Sequence, residues 1–370
     1  MNKNKIFNMP DIHFYFPREY WSADIPKTID SYWRWASSDH VSFRQYEISA
    51  WILQTYLYLK QKKFPCRLTG DLPSEGIVIG HRFSFDDDLV PNAKQFLICV
   101  LADKRQPYGP GLHPYAQYHI VQNPLEAKMF KTAYYIPHWP QPDLIPRDTA
   151  RGDVLLNVAS ICRKQELSDV MDNSLLETIK KMGLSFYIID YTERDRWNDF
   201  SHIDAFIAVR SFKRKDWTWK PATKLFNAWH AGVPAILGCE SAYRAERRSE
   251  LDYIEVHSPQ EIIEALKRLR NDKKLYRAMV DNCKVRARQV SPEVITEYWM
   301  KFLADIAMPA YEEWRGASVA HRNAWLLQRR IFVKKKRIQK IADEIITYLK
   351  IRIKIRTRLR SLAAYFTRNR

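Results

Sequence analysis

The residues best placed to do chemistry lie in the stretch WKPATKLFNAWHAGVPAILG, Trp219 to Gly238. A lysine, a proline and a threonine open a short helix in which Leu225, Phe226 and Trp229 share one face. Gly232 stands where a C-cap is expected, and the apolar run after it reads as a strand. The first amide groups of a helix have no partners within it, so a helix that starts beside Lys220 and Lys224 is a place to hold an anion.

The elements around this helix repeat a strand-then-helix rhythm. In the first part of the chain, IHFYFP from Ile12 is a strand, Gln45 to Lys62 is a helix, and short apolar runs follow from Gly76, Gln95, Tyr118 and Ala133. These runs show little two-residue alternation, which suits strands of a mostly parallel sheet buried on both faces. The proline-rich segment His138 to Asp153 reads as a linker. Beyond it the rhythm restarts with VLLNVAS, SFYIID, HIDAFIAVR, AILG and YIEV as strands, and Ser258 with Glu261 has the spacing of a capping box. Alternation of this kind implies right-handed crossovers and helices on both faces of each sheet. Two such units around one joint leave a cleft between them.

Length and charge support the division. At 370 residues and 44.0 kDa the chain is too long for one core. The five cysteines, Cys66, Cys99, Cys162, Cys239 and Cys283, form no close pair and read as small hydrophobes in a reducing compartment. No apolar run has the roughly 18 residues that span a bilayer, and the amino terminus lacks a signal-peptide core. The net charge of +18 is uneven, for Arg329 to Arg370 carry fifteen Lys or Arg against Asp343 and Glu344, leaving only +5 on the first 328 residues.

From about Asp153 to Val290 the chain resembles nucleotide-sugar glycosyltransferases of the GT-B architecture, most closely in KPATKLFNAWHAGVPAI, which looks like their donor-site helix and the turn after it. The resemblance implies an α/β fold of two Rossmann-like domains. Residues 1–140 would form the acceptor-side domain, 141–290 the donor domain, 291–328 closing helices and 329–370 a basic amphipathic extension. It implies that Lys224, Lys220 and Thr223 face a donor diphosphate, with Ala222 permitting close approach. Arg163 and Arg210, each at the carboxyl end of a strand, would add cations, and Asn227 and Glu240 would complete the donor site, Glu240 as a partner for sugar hydroxyls. No metal and no cofactor are required, and the donor stretch leans toward a GDP-sugar over a UDP-sugar. Many retaining members carry two glutamates where this chain has Trp219 and Asn227, so stereochemistry stays open.

An inverting transfer needs a base on the acceptor side. His81, at the carboxyl end of GIVIGH, is the leading candidate, and Asp71, one loop earlier, follows the same logic. Asp86 to Asp88 have the oxygen chemistry for magnesium or manganese, yet adjacent aspartates more often form a solvated loop. The basic extension alternates from Lys350 to Arg360 as a strand would, and from Ile331 to Leu349 reads as an amphipathic helix. Either form would attach a cytoplasmic enzyme to anionic lipid at the inner face of the membrane, where a lipid-linked glycan is extended. A catalytically silent scaffold for polysaccharide assembly is the alternative. Nucleic-acid binding through the extension is a weaker one, and no specific nucleic acid is expected.

Overall fold

A computed structural model describes residues 10–86, 88–102, 111–162, 170–190, 197–213 and 216–368, of which 351–368 are described as backbone alone. The expected pair of Rossmann-like sheets is present. The first contains β1 (Ile12–Tyr15), β2 (Arg67–Thr69), β3 (Gly76–His81), β4 (Gln95–Leu101), β5 (Tyr118–Val121) and β6 (Ala133–Tyr135), in the order β2-β1-β3-β4-β5-β6. The second contains β7 (Asn157–Ile161), β8 (Ser185–Ile189), β9 (Ala205–Ala208), β10 (Ala235–Gly238) and β11 (Ile254–Val256), in the order β11-β10-β9-β7-β8. Every pairing in both sheets is parallel. Each residue of β3 and β4 is buried, which is why these runs are apolar throughout.

The helices explain where sequence periodicity and structure part. After α1 (Tyr32–Ala36), the single helix expected over 45–62 is two, α2 (Phe43–Trp51) and α3 (Leu53–Gln61). Ser42 and Gln45 close a capping box at the start of α2, and the helices meet at Ile52. They are followed by α4 (Pro124–Met129), α5 (Asn173–Lys181), α6 (Thr223–Ala231), α7 (Ser241–Glu246), α8 (Pro259–Asn271) and α9 (Lys273–Gln289). Ser258 caps α8 as expected, accepting from the Glu261 N–H at 3.2 Å, while Glu261 reaches back to the N–H of His257. The helix α6 has the expected apolar face and ends at Gly232, whose φ of 67° is the left-handed conformation of a glycine C-cap. All five cysteines are free thiols, four of them buried.

The chain then returns to the first domain. α10 (Pro292–Phe302) places Trp299 and Phe302 in the core of the first sheet, with Trp299 edge-on to Phe14 at 6.1 Å. A wide-turn segment, Leu303–Ala307, leads into α11 (Met308–Gly316), whose second residue is Pro309. The last helix, α12 (Val319–Arg368), is continuous across the division expected at 328/329 and includes the stretch whose alternation suggested a strand. Leu326 and Val333 on α12 are buried, and Arg337 pairs with Asp88, so its root is packed against the first domain. Among the described residues no helix is long and apolar enough to cross a membrane.

The proline-rich joint is docked on the second domain. The N–H of Gln141 donates to Asn227 Oδ1 at 2.9 Å, Asn198 donates to the carbonyl of Asp143, and the N–H of Arg147 donates to the carbonyl of Ala231. The strongest anchor is Asp204, 0% exposed. Its carboxylate accepts from Arg147, from Arg151, and from the N–H groups of Leu156 and Asn157, all at 2.8–3.1 Å. Burial alone would raise this carboxyl, but those donors outweigh it and hold it below the usual aspartate range. Asp204→Ala strands two guanidinium groups and two backbone amides, and is expected to cost on the order of 3–5 kcal/mol in urea unfolding. A change below about 1 kcal/mol would contradict this role.

Candidate donor cleft

Because every strand is parallel, each sheet has one carboxyl edge, and the two edges face each other. Gln122 and Asn123, just past β5, are 1% and 0% exposed and reach into the second domain. Gln122 Nε2 donates to the carbonyl of Trp219 at 2.7 Å; Asn123 Nδ2 donates to the carbonyl of Lys220 at 3.1 Å and to Ser241 Oγ at 3.0 Å. At the end of β6, the Tyr135 hydroxyl donates to Glu246 at 2.6 Å. The first domain therefore holds the turn that leads into α6. That turn carries Trp217 at a φ of 44°, a conformation a bulky side chain rarely adopts.

In the second sheet the chain order reverses between β7 and β9, the switch point at whose carboxyl side ligands collect in open sheets. Arg210 lies just past β9, and Arg163, its expected partner past β7, lies outside the described residues. Arg210 is not a bare cation, because its guanidinium bonds the Glu240 carboxylate at 2.5 Å. Glu240 follows β10, is 2% exposed, and its Oε1 has no hydrogen-bond partner among the described residues. The two residues expected to act separately on phosphate and sugar thus form one pair, Glu240 buried and Arg210 half-buried.

At the start of α6, Ala222 is the buried N-cap residue, and its carbonyl accepts from the N–H groups of Leu225 and Phe226. No side chain caps the helix, so Thr223 is not the cap that its type allowed. Its Oγ1 is shielded from solvent with no hydrogen-bond partner among the described residues. Lys224 occupies the second helical position, and Lys220 lies in the clamped turn before it. Asn227 faces the joint instead of the cleft, its Oδ1 being taken by Gln141.

The acceptor-side candidates separate. His81 ends β3 at the switch point of the first sheet and is buried. Its Nδ1 accepts from the N–H of Phe83 at 3.1 Å, so in the neutral ring the proton sits on Nε2 and His81 presents a donor. Asp71 is exposed and paired with Arg18 at 2.8 Å, a surface ion pair. Asp86 Oδ1 accepts from the N–H of Asp88, and Asp88 pairs with Arg337; Asp87 lies outside the described residues.

A residue that sequence reading passed over is Glu126. Asn123 caps α4, with Pro124 at the first helical position, and α4 packs against α7 of the second domain. Glu126 is buried on α4, and Gly111 (φ 91°) lies so close that a Cβ there would stand 3.4 Å from Oε1. Burial pushes its carboxyl up to about 7, the range in which a carboxylate serves as a general base. The signal for it was the Asn-Pro pair directly after a strand, which marks a helix start. One further cluster, Cys239, Glu255 and His257, brings its ligand atoms within 4.8 Å of one another. Arg244 already bonds Glu255 through two nitrogens at 2.9 and 2.5 Å, supplying the cation there.

No family model matches the sequence, and no curated protein matches it. Solved structures do. Anabaena Alr3699/HepE in complex with UDP and glucose aligns at 10% identity with a TM-score of 0.46, over 80% of this chain and 100% of that one. A mutant of S. aureus TarM, in complex with Fondaparinux, alpha-GlcNAc-glycerol and UDP, aligns at 14% identity and 0.45 over 68% of this chain. This chain spans 58% of that TarM chain. AviGT4, a glycosyltransferase involved in Avilamycin A biosynthesis, aligns at 12% and 0.39, over 68% of this chain and 87% of that one. The architecture rests on the chain's own two parallel sheets. The lean toward a guanine nucleotide is corrected: where these structures name a nucleotide it is UDP or UDP-glucose.

Since the Glu126 carboxyl is raised in the folded chain, its contribution to stability is fully present below the unfolded value near 4.5 and is lost as pH rises through about 7. Glu126→Gln is expected to flatten the fall in melting temperature between these limits, removing up to about 3 kcal/mol of pH dependence. Identical stability profiles for the two proteins would contradict the raised value.

Proposed function

We propose that this chain transfers a glycosyl group from a nucleoside diphosphate sugar, bound at the start of α6, to a hydroxyl presented by the first domain. The observation that supports it best is the pairing of two shielded oxygens at one carboxyl edge, Thr223 Oγ1 and Glu240 Oε1, neither with a hydrogen-bond partner among the described residues. Buried polar atoms of this kind are costly unless a ligand or water satisfies them. In this reading Thr223 and the first amides of α6 bond the diphosphate, Lys224, Lys220 and Arg163 balance its charge, and Glu240 accepts from a sugar hydroxyl while Arg210 holds its carboxylate in place.

The bond from the anomeric carbon to the diphosphate oxygen breaks, and a new one forms to the acceptor oxygen. The electron pair leaves on the diphosphate, where the cations stabilise it. The acceptor proton passes to a base of the first domain, for which the buried Glu126 carboxyl and His81 are the candidates. Calorimetric titration of UDP, ADP and dTDP is expected to find binding by one of them, weakened about ten-fold or more in Lys224→Ala and in Thr223→Val. That nucleotide's sugar conjugates are then turned over, or slowly hydrolysed without acceptor. Equal affinities for the variants and the parent would remove the donor from α6, and binding without any turnover would favour a scaffold.

We infer that α12 attaches the chain to a lipid surface. Ile338, Ile341, Ile345, Ile346, Tyr348 and Leu349 are exposed along it, among the lysines and arginines that give the last 42 residues a charge of +13. Apolar groups entering the interface, with cations held by anionic headgroups, fit that composition. The chain is expected to sediment with phosphatidylserine vesicles at low salt and to be released as salt rises. Equal binding to phosphatidylcholine vesicles, or stronger binding to duplex DNA, would contradict the assignment.

A further inference from the structure

A cavity of about 490 Å³ lies on the side of the first domain away from the donor cleft. Its floor is the amino edge of the first sheet: Phe96 near the start of β4, Tyr118 at the start of β5, and Thr132 just before β6. The seven residues of β4 separate this edge from the carboxyl edge that faces the second domain, roughly 20 Å away. The wall is made by α11 and the root of α12, which bring Trp314, Trp325 and Phe332.

We propose that this cavity binds a neutral saccharide unit, holding a glycan chain at a point remote from the transfer site. The aromatic rings supply flat apolar faces of the kind that the C–H face of a pyranose covers; Trp314 and Trp325 meet edge to face at 5.4 Å. Among these rings stand polar groups with nothing to bond. Trp314, 9% exposed, has an indole N–H with no hydrogen-bond partner among the described residues. His119, 2% exposed, sets Nε2 against the N–H and the carbonyl of His113 at 3.0 and 3.2 Å, and its Nδ1 has no hydrogen-bond partner among the described residues. Two buried polar nitrogens left open in a roomy cavity fit a ligand rich in hydroxyl groups, which both donate and accept.

The same groups exclude the neighbouring chemistries. An acyl chain would leave both nitrogens unsatisfied in an apolar contact. A phosphate would need an excess of cations, but Arg329 stacks on Trp325 at 4.9 Å and the lining also carries the carboxylate of Glu313. Burial holds His119 neutral, its imidazole pushed down to about 4. The volume has room for two hexose rings, each of roughly 200 Å³, in the usual range for small-molecule sites.

The test is direct binding to the full chain, independent of any activity at the donor cleft. Cellobiose, maltose, lactose and chitobiose are titrated while tryptophan fluorescence and saturation-transfer NMR are recorded, with dodecanoate and inorganic phosphate as competing probes. At least one disaccharide is expected to bind at low millimolar concentration, at least five-fold more weakly in Trp325→Ala and in Trp314→Phe, which keeps an aromatic ring and removes the N–H together with the rest of the five-membered ring. Affinity for whichever of UDP, ADP and dTDP binds the parent, and the far-UV circular dichroism spectrum, are expected to be unchanged in both variants, which reports that they are folded. No binding by any of the four sugars, equal binding by the variants, or displacement of the sugar by dodecanoate or by phosphate would each overturn the proposal.

Discussion

The two buried amides past β5, Gln122 and Asn123, are the contact on which the rest of the molecule depends. They bond the carbonyls of Trp219 and Lys220, so the turn before α6 is shaped by the first domain although it belongs to the second. The Lys220 N–H donates to the carbonyl of Trp217 within the turn, and Pro221 has no N–H, so the first turn of α6 is what the turn leaves to face the cleft. Burying two side-chain amides costs free energy unless each donor is met, and here the turn meets them. The closed relation of the two sheets and the geometry of the donor end of α6 are therefore one property.

The joint reinforces that relation from behind. Its arginines converge on Asp204, and Gln141 takes the side chain of Asn227, so a segment with three prolines and no periodicity is nonetheless fixed to the second sheet. The helices that follow cross back to the first domain, where Trp299 and Phe302 join its core. The chain thus ties the two domains at the cleft, at the joint and along α10, and carries α12 outward from the first domain.

Much of the fold was legible because fully buried parallel strands must be written as unbroken apolar runs, and GIVIGH, QFLICV and AILG are such runs. The break at Ile52 was not legible, since the apolar spacing of α2 continues through it into α3. The capping pair Ser258 and Glu261 was readable because it is local. The pairing of Arg210 with Glu240 was not, because it joins the ends of neighbouring strands 30 residues apart and periodicity carries no information on register. Asp71 looked like a cleft residue by its place after a strand, but that strand is the outer one of its sheet, and Arg18 claims it on the surface. Glu126 was missed because a lone glutamate in a first helical turn is ordinary, and only burial makes it unusual.

The most direct test of the donor site is a diffraction experiment on crystals of the full chain grown with UDP. The account predicts diphosphate density at the carboxyl edge of the second sheet, with an oxygen within about 3 Å of Thr223 Oγ1 and contacts to the first amides of α6. Diphosphate density elsewhere on the chain, with Thr223 Oγ1 and the start of α6 untouched, would contradict it.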